Sequence, residues 1–194
     1  MIIAILQARY SSSRLLGKVL KKIKKKTILE LVYDNVKKTK EINKVIIATS
    51  WHKSDDKIYR FCKGKKITCF RGSLKNLAKR YHRCLEKYKS DAFVRICCDS
   101  PFMSEKIISR CIKKYNSKKY DLVTNIYPRS YPKGQSVEII KSVFFERVYK
   151  KINKRFYEDQ FTEYFYQNSK KFNIYNVKNK SNCSNISLAI DTKK

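Results

Sequence analysis

Short, almost purely apolar runs recur along this chain, and each is followed by a stretch whose apolar residues repeat at helical spacing. That alternation constrains the fold more than any other feature. Residues 2–6, 44–48, 67–70, 92–97, 121–124 and 137–140 read as strands, with later strands at 173–177 and 186–190. Continuous apolar runs belong to strands buried on both faces. Residues 27–38, 54–63, 73–88, 104–115, 142–151 and 158–168 read as helices. Thr27, with Glu30 three residues on, makes a capping box at the first of them. Strands alternating with helices predict a three-layer α/β fold, a mostly parallel sheet with helices on both faces. No repeat or low-complexity linker interrupts the pattern, so residues 1–194 read as a single domain. Such sheets bind ligands at the carboxyl ends of their strands. The loops after Leu6, Ala48, Phe70 and Cys97 are therefore the places to look for chemistry.

Charge and cysteine content narrow the classes further. The formal net charge is +30. Clustered cations would indicate a nucleic-acid surface, but here the lysines are spread along the whole chain. Abundant Lys, Asn, Ile, Tyr and Phe, with Gly and Pro scarce, match the bias of an AT-rich genome, so nucleic acid is not the expected partner. A positive field would still draw in a nucleoside triphosphate. The seven cysteines are irregularly spaced and include no CxxC pair. They read as reduced, mostly buried thiols, with neither a zinc site nor a disulfide framework. The apolar residues 1–6 lack a basic leader before them, and no apolar run approaches the roughly 20 residues that cross a bilayer. The expectation is a cytoplasmic protein without a membrane partner.

The first strand runs into Gln7-Ala8-Arg9-Tyr10-Ser11-Ser12-Ser13-Arg14-Leu15-Leu16-Gly17-Lys18. A tight loop of small hydroxyl residues can present backbone N–H groups to phosphate oxygens. Arg14 can grip phosphate with two parallel bonds, and Lys18 adds a compact charge. Composition alone leaves a basic surface loop as an equal alternative. The loop matches neither a P-loop nor the glycine fingerprint of dinucleotide sites.

Set against known families, this stretch resembles A-R-x-G-S-x-R-L-P-G-K, the signature of the cytidylyltransferases that activate acidic sugars. These include CMP-Kdo synthetases, CMP-sialic acid synthetases and spore-coat-polysaccharide F-type proteins. Ala8-Arg9, Ser12, Arg14-Leu15 and Gly17-Lys18 match, while Ser11 replaces Gly and Leu16 replaces Pro. Further blocks follow in order. Phe70-Arg71-Gly72-Ser73 with Leu77 and Arg80-Tyr81 resembles F-R-G-S-x-x-x-V-L-x-R-Y. Arg95 to Pro101 resembles R-x-T-G-D-C-P, with Cys97, Cys98 and Ser100 substituted. Arg129 to Gly134, with Val137-Glu138, resembles R-T-Y-P-x-G-x-x-V-E. Asp159-Gln160-Phe161-Thr162 is similar to E-H-V-T, with Gln160 in place of His. Ile190-Asp191-Thr192 is similar to V-D-T, after which the family continues into a helix that this chain does not reach. The F-type branch is the nearest.

The resemblance implies the Rossmann-like fold of nucleotide-diphospho-sugar transferases. It also implies CMP transfer from CTP to an acidic sugar for surface polysaccharide or glycan synthesis, with pyrophosphate released. Gln7, Ala8, Arg9, Ser11, Ser12, Ser13, Arg14, Lys18, Arg71 and Asp99 would bind nucleotide, with Arg14, Lys18 and Asp99 catalytic. Asp99 and Asp191 would hold Mg²⁺. Arg80, Tyr81, Arg129, Glu138 and Gln160 would meet the sugar. A homodimer is the family's habit. Two other classes stay open on the residues alone: a sugar-1-phosphate nucleotidyltransferase or glycosyltransferase of the same fold, and a non-enzymatic polyanion binder. Tyr81 also fits core packing, and Asp99 an ordinary turn.

Overall fold

The computed structural model describes residues 1–11, 15–152 and 155–190. Its strands are β1 (Ile2–Gln7), β2 (Lys22–Ile23), β3 (Lys26–Thr27), β4 (Lys44–Ser50), β5 (Cys69–Gly72), β6 (Ala92–Cys97), β7 (Leu122–Thr124), β8 (Glu138–Lys141) and β9 (Ile174–Asn176). Seven of them form one sheet in the order β5-β4-β1-β6-β8-β7-β9. β5, β4, β1 and β6 run parallel; β8 is antiparallel to both its neighbours, and β9 is parallel to β7. β2 and β3 pair separately as a small antiparallel hairpin.

The period-2 alternation of β1 divides the core. Ile2, Ala4 and Leu6 join one apolar cluster, with Leu29, Val32 and Val36 of α1 (Ile28–Lys37), Ile58 and Cys62 of α2 (Asp56–Gly64), and Ile108, Cys111 and Ile112 of α4 (Glu105–Ser117). Ile3 and Ile5 join the other, with Tyr81 and Cys84 of α3 (Leu77–Lys87), Phe144 and Phe145 of α5 (Ser142–Tyr149), and Phe161 and Phe165 of α7 (Phe161–Gln167). A further short helix, α6 (Arg155–Asp159), packs on α3. Side chains on opposite faces of a strand need cover on both sides, and these helices supply it.

Several expected boundaries move, each for a local reason. The capping box holds: Thr27 Oγ1 accepts from the Glu30 N–H, and a Glu30 carboxylate oxygen accepts from the Thr27 N–H. The third strand starts at Cys69, not Ile67, because Lys66 takes a left-handed φ of 55° and Ile67 bonds back to Cys62 to close the preceding helix. The helix expected from Ser73 begins at Leu77. Asn76 is its N-cap, its side chain accepting from the Lys79 N–H, while the Ser73 carbonyl is taken by Arg80. The helix expected over 158–168 is broken at Gln160 into α6 and α7, which turns Asp159 and Gln160 outward at a corner. Residues 186–190 are not a strand. They form an extended strap, bonded through Ile186 O and the Leu188 N–H to Lys133, and through the Ile190 N–H to the Asp99 carbonyl. The β2–β3 hairpin had no glycine to announce it; Lys24 supplies its positive φ.

Candidate active site

A cleft of ≈ 410 Å³ opens at the carboxyl ends of β1 and β6. The loop after β1 forms one wall and is pinned at both ends. The Gly17 N–H donates to the Tyr10 carbonyl at 2.8 Å. Gly17 sits at φ 65°, a conformation that favours glycine, with the Tyr10 ring packed 2.7 Å from where a Cβ would stand. The Tyr10 N–H donates to Asp55 Oδ1 at 2.7 Å, and Asp55 Oδ2 accepts from the Ser50 N–H and hydroxyl. Asp55 is fully buried, and its carboxylate joins the loop to the end of β4. The sequence marked it only as the start of a helix; a carboxylate two elements away from the loop it holds leaves no local signal.

Lys18 begins a 3-10 turn, Lys18–Leu20, and its Nζ lies 2.8 Å from Asp99 Oδ2. Asp99 follows β6, with its other oxygen accepting from the Ser100 hydroxyl at 3.2 Å. Its backbone is tied on both sides, through the Cys98 N–H to Gln7 and through its own carbonyl to Ile190. The loop after β1 and the carboxylate at 99 thus meet across the cleft mouth, 81 residues apart in sequence.

Gln7, Ala8, Arg9, Ser11, Lys18, Arg80, Asp99 and Gln160, all singled out from the sequence, line this one cleft. Ser12, Ser13, Arg14 and Asp191 lie outside the described residues. Four expected positions are not brought to it. Arg71 on edge strand β5 is committed elsewhere: it pairs with Asp56 at 2.6 Å, donates to the Ser50 carbonyl and stacks on Trp51 and Tyr59. Tyr81 is fully buried, its hydroxyl donating to the Ile5 carbonyl and to Gln7 Oε1, so it supports the cleft floor from within the core. Burial raises its phenol well above the ordinary range. Arg129 spends its guanidinium within its own loop, on Pro132 and Ser136. Glu138, 1% exposed, is turned inward to Arg95.

Arg95 is a lining residue to which the sequence reading gave no role. It is an arginine in an otherwise apolar strand, two residues before Cys97 and therefore on the same face, which was the available signal. Its Nη1 donates to Glu138, Tyr166 donates to the same carboxylate, and Thr124 bonds Tyr166. Burial opposes the Arg95 charge, but Glu138 more than offsets this and holds the guanidinium firmly protonated. Asp159, carried to the cleft by the break at Gln160, is the second carboxylate on its wall. The Cys97 thiol, also on the cleft lining, is pushed up to about 11 by desolvation, so it is neutral at physiological pH. The cleft therefore presents Arg9, Lys18, Arg80 and Arg95 against Asp99 and Asp159, a net positive lining suited to a polyanionic ligand. A larger hollow of ≈ 520 Å³, between the end of α1 and α4, is walled by surface side chains such as Lys40, Glu105 and Lys113 and has no link to the strand ends. Among the described residues no helix is long and apolar enough to cross a membrane.

A mostly parallel sheet with a basic loop after β1 and an acidic turn after β6 puts a polyanion-binding cleft at the strand ends, where α/β proteins of the nucleotide-binding class carry their sites. The comparisons with known proteins narrow this. Residues 3–192 match the family model described as cytidylyltransferase, and the chain belongs to that family. An uncharacterized protein of Methanocaldococcus jannaschii is 30% identical over 174 residues, 90% of this chain and 70% of that protein. The spore coat polysaccharide biosynthesis protein SpsF of Bacillus subtilis is 29% identical over 118 residues. That match takes in 59% of this chain and 49% of SpsF, so the chain spans about half of that relative's length. A cytidylyltransferase structure from Leptospira borgpetersenii superposes with a TM-score of 0.93 at 27% identity, over 98% of this chain and 81% of that one.

Proposed function

We propose that this protein transfers CMP from CTP to an acidic sugar that feeds a surface polysaccharide or glycan. A sugar hydroxyl attacks the α-phosphorus of CTP. A new oxygen–phosphorus bond forms, the α–β phosphoanhydride bond breaks, and pyrophosphate and the hydroxyl proton leave. The observation that carries the reading is the Lys18–Asp99 pair, 2.8 Å apart at the mouth of the cleft. It brings together one cation and one carboxylate, the two charges that a triphosphate and a divalent cation would call on.

The family implies Mg²⁺, and the donor set is compatible with it. Among the described residues no group of three or more His, Cys, Asp or Glu side chains forms a metal cage. Mg²⁺ is not usually caged by protein; it takes one or two carboxylates together with substrate phosphates and water. Asp99 would be its carboxylate here, with Asp191 assigned the second position. When bound, the ion would screen the triphosphate and stabilise charge on the reacting phosphoryl group. Lys18, Arg9 and, by assignment, Arg14 would hold the phosphates and neutralise the leaving pyrophosphate. Arg80 and Gln160 would meet the sugar, with Arg95 held on the same lining by Glu138. The rate would come from positioning and electrostatics.

A screen of CTP, UTP, GTP and ATP against a panel of Kdo-type and sialic-acid-type sugars tests this. The expected outcome is Mg²⁺-dependent pyrophosphate release with CTP and a sugar acid. Turnover with a sugar 1-phosphate, or with no nucleotide in the set, would refute it.

A further inference from the structure

The cations of the cleft are not equally compensated. Lys18 has Asp99. Arg95 has Glu138. Arg9 is exposed to water. Arg80 has neither remedy. It is 1% exposed, its Nη1 donates only to the Ser73 carbonyl at 2.9 Å, and its Nε is buried with no partner. Among the described residues it makes no ion pair, although Asp159 lines the same cleft. Burying a guanidinium without a counter-charge is costly, and replacing such a group by an apolar one is often neutral or stabilising.

The surrounding structure is nevertheless shaped to hold it. Gly72 ends β5 beneath its stem: a Cβ there would stand 2.8 Å from Arg80 Cγ and 3.3 Å from Arg80 Cα. The Ser73 carbonyl, left unused by the late start of α3, fixes one corner of the fork. Arg9, bonded to the Leu74 carbonyl at 3.5 Å, brings a second cation to the same wall. A costly charge held by a tailored backbone is what an anion site looks like before its anion arrives.

We propose that Arg80 is the centre of a built oxyanion subsite, with Arg9 as its outer cation, and that a carboxylate or phosphate group of a substrate supplies the missing counter-charge. This deepens the CMP-transfer reading and rests on it for the identity of the anion, though not for the existence of the subsite. The unpaired charge is expected to destabilise the ligand-free protein, and the anion to relieve that.

Thermal unfolding of the full chain and of R80M, R80K, G72A and D159N tests it, without ligand and with CTP, pyrophosphate or Kdo in separate arms. Without ligand, R80M should unfold at the same or a higher temperature than the wild type. With the anion that uses the subsite, R80M should lose about ten- to a hundredfold in affinity, the scale of a hydrogen-bonded charge contact. R80K should keep part of the affinity, and G72A, which displaces the Arg80 stem, should lose much of it. The arm that responds identifies the group: CTP or pyrophosphate for a phosphate, Kdo for a carboxylate. The inference is overturned if R80M binds all three within threefold of the wild type, or if the wild type binds none. It is also overturned if R80M and D159N lower the ligand-free midpoint alike, because Asp159 would then be the counter-ion. Turnover is not the readout. Arg80-dependent anion binding in a protein that transfers no CMP would refute the proposed function and leave the subsite standing. CMP transfer with unchanged anion binding in R80M would do the reverse.

Discussion

Asp99 carries the proposed chemistry at the scale of single residues. Asp99→Asn keeps shape and volume and removes the charge. It is expected to lower CTP-dependent pyrophosphate release by about 10²–10³, the usual cost of a group that acts on developing charge. A coupled pyrophosphate assay on folded variant protein checks this, and retention of activity within tenfold would remove Asp99 from the mechanism. Glu138 belongs to stability first. Glu138→Gln would leave Arg95 buried beside a neutral partner, at a cost of about 3–5 kcal/mol; urea unfolding should show it, with Tyr166→Phe costing about 1–3 kcal/mol by the loss of the hydroxyl's bonds to Glu138 and Thr124. Three thiols, Cys84 and Cys111 in the core and the half-buried Cys97 on the cleft wall, set the alkaline limit. Burial raises Cys97 to about 11, and Cys84 and Cys111 to about 12, from an ordinary value near 9.0. Above pH 9 the unfolded chain loses these protons while the folded protein keeps them. Their contribution is therefore intact below that pH and falls above it, by about 1.4 kcal/mol per pH unit for each thiol. Unfolding midpoints measured from pH 7 to pH 11 should decline from about pH 9, and Cys97→Ser should lessen the slope.

Between elements, the strap at 186–190 decides how firmly Asp99 is held. Gly134 has φ 91°, and a Cβ on it would lie 2.7 Å from backbone atoms of Leu188 and Ala189. Neither the conformation nor the space admits a side chain. Gly134→Ala should push the strap away and weaken the bond from the Ile190 N–H to the Asp99 carbonyl. The expected result is a loss of turnover greater than the loss of stability, seen by comparing pyrophosphate release with the thermal midpoint. A change in stability alone would show that the strap does not act on Asp99. The sequence marked Gly134 as a loop residue and 186–190 as a strand. The apolar alternation was legible, but extended backbone becomes a strand only when a neighbour offers a continuous ladder, and Lys133 offers only an isolated bridge.

For the molecule as a whole, the net charge of +30 opposes compaction through self-repulsion. Salt should therefore stabilise this protein. Raising ionic strength from about 0.05 to 0.5 M shortens the reach of surface charge from more than 10 Å to about 4 Å. The unfolding midpoint is expected to rise over that range, and the KM for CTP to rise with it as attraction into the cleft is screened. Nonspecific binding to a polyanion such as single-stranded DNA should fall steeply over the same range and survive Asp99→Asn, whereas CTP binding should respond to both. Nucleic-acid binding that resists salt would point to a dedicated surface and away from diffuse charge.

Periodicity and capping were written locally, and so the sequence alone determined the α/β alternation, the capping box at Thr27 and the strand ends where a site had to lie. The motif blocks in order, from Ala8-Arg9 to Ile190, carried the family. The sequence did not determine which arginines face the cleft, because Arg71, Arg80, Arg95 and Arg129 are chemically alike and differ only in what packs around them. Tertiary structure gave Arg71 to Asp56, Arg129 to its own loop and Arg95 to Glu138, and among the described residues left Arg80 buried without a counter-charge. A charge finds its counter-charge through space, and the distances that matter separate residues tens of positions apart.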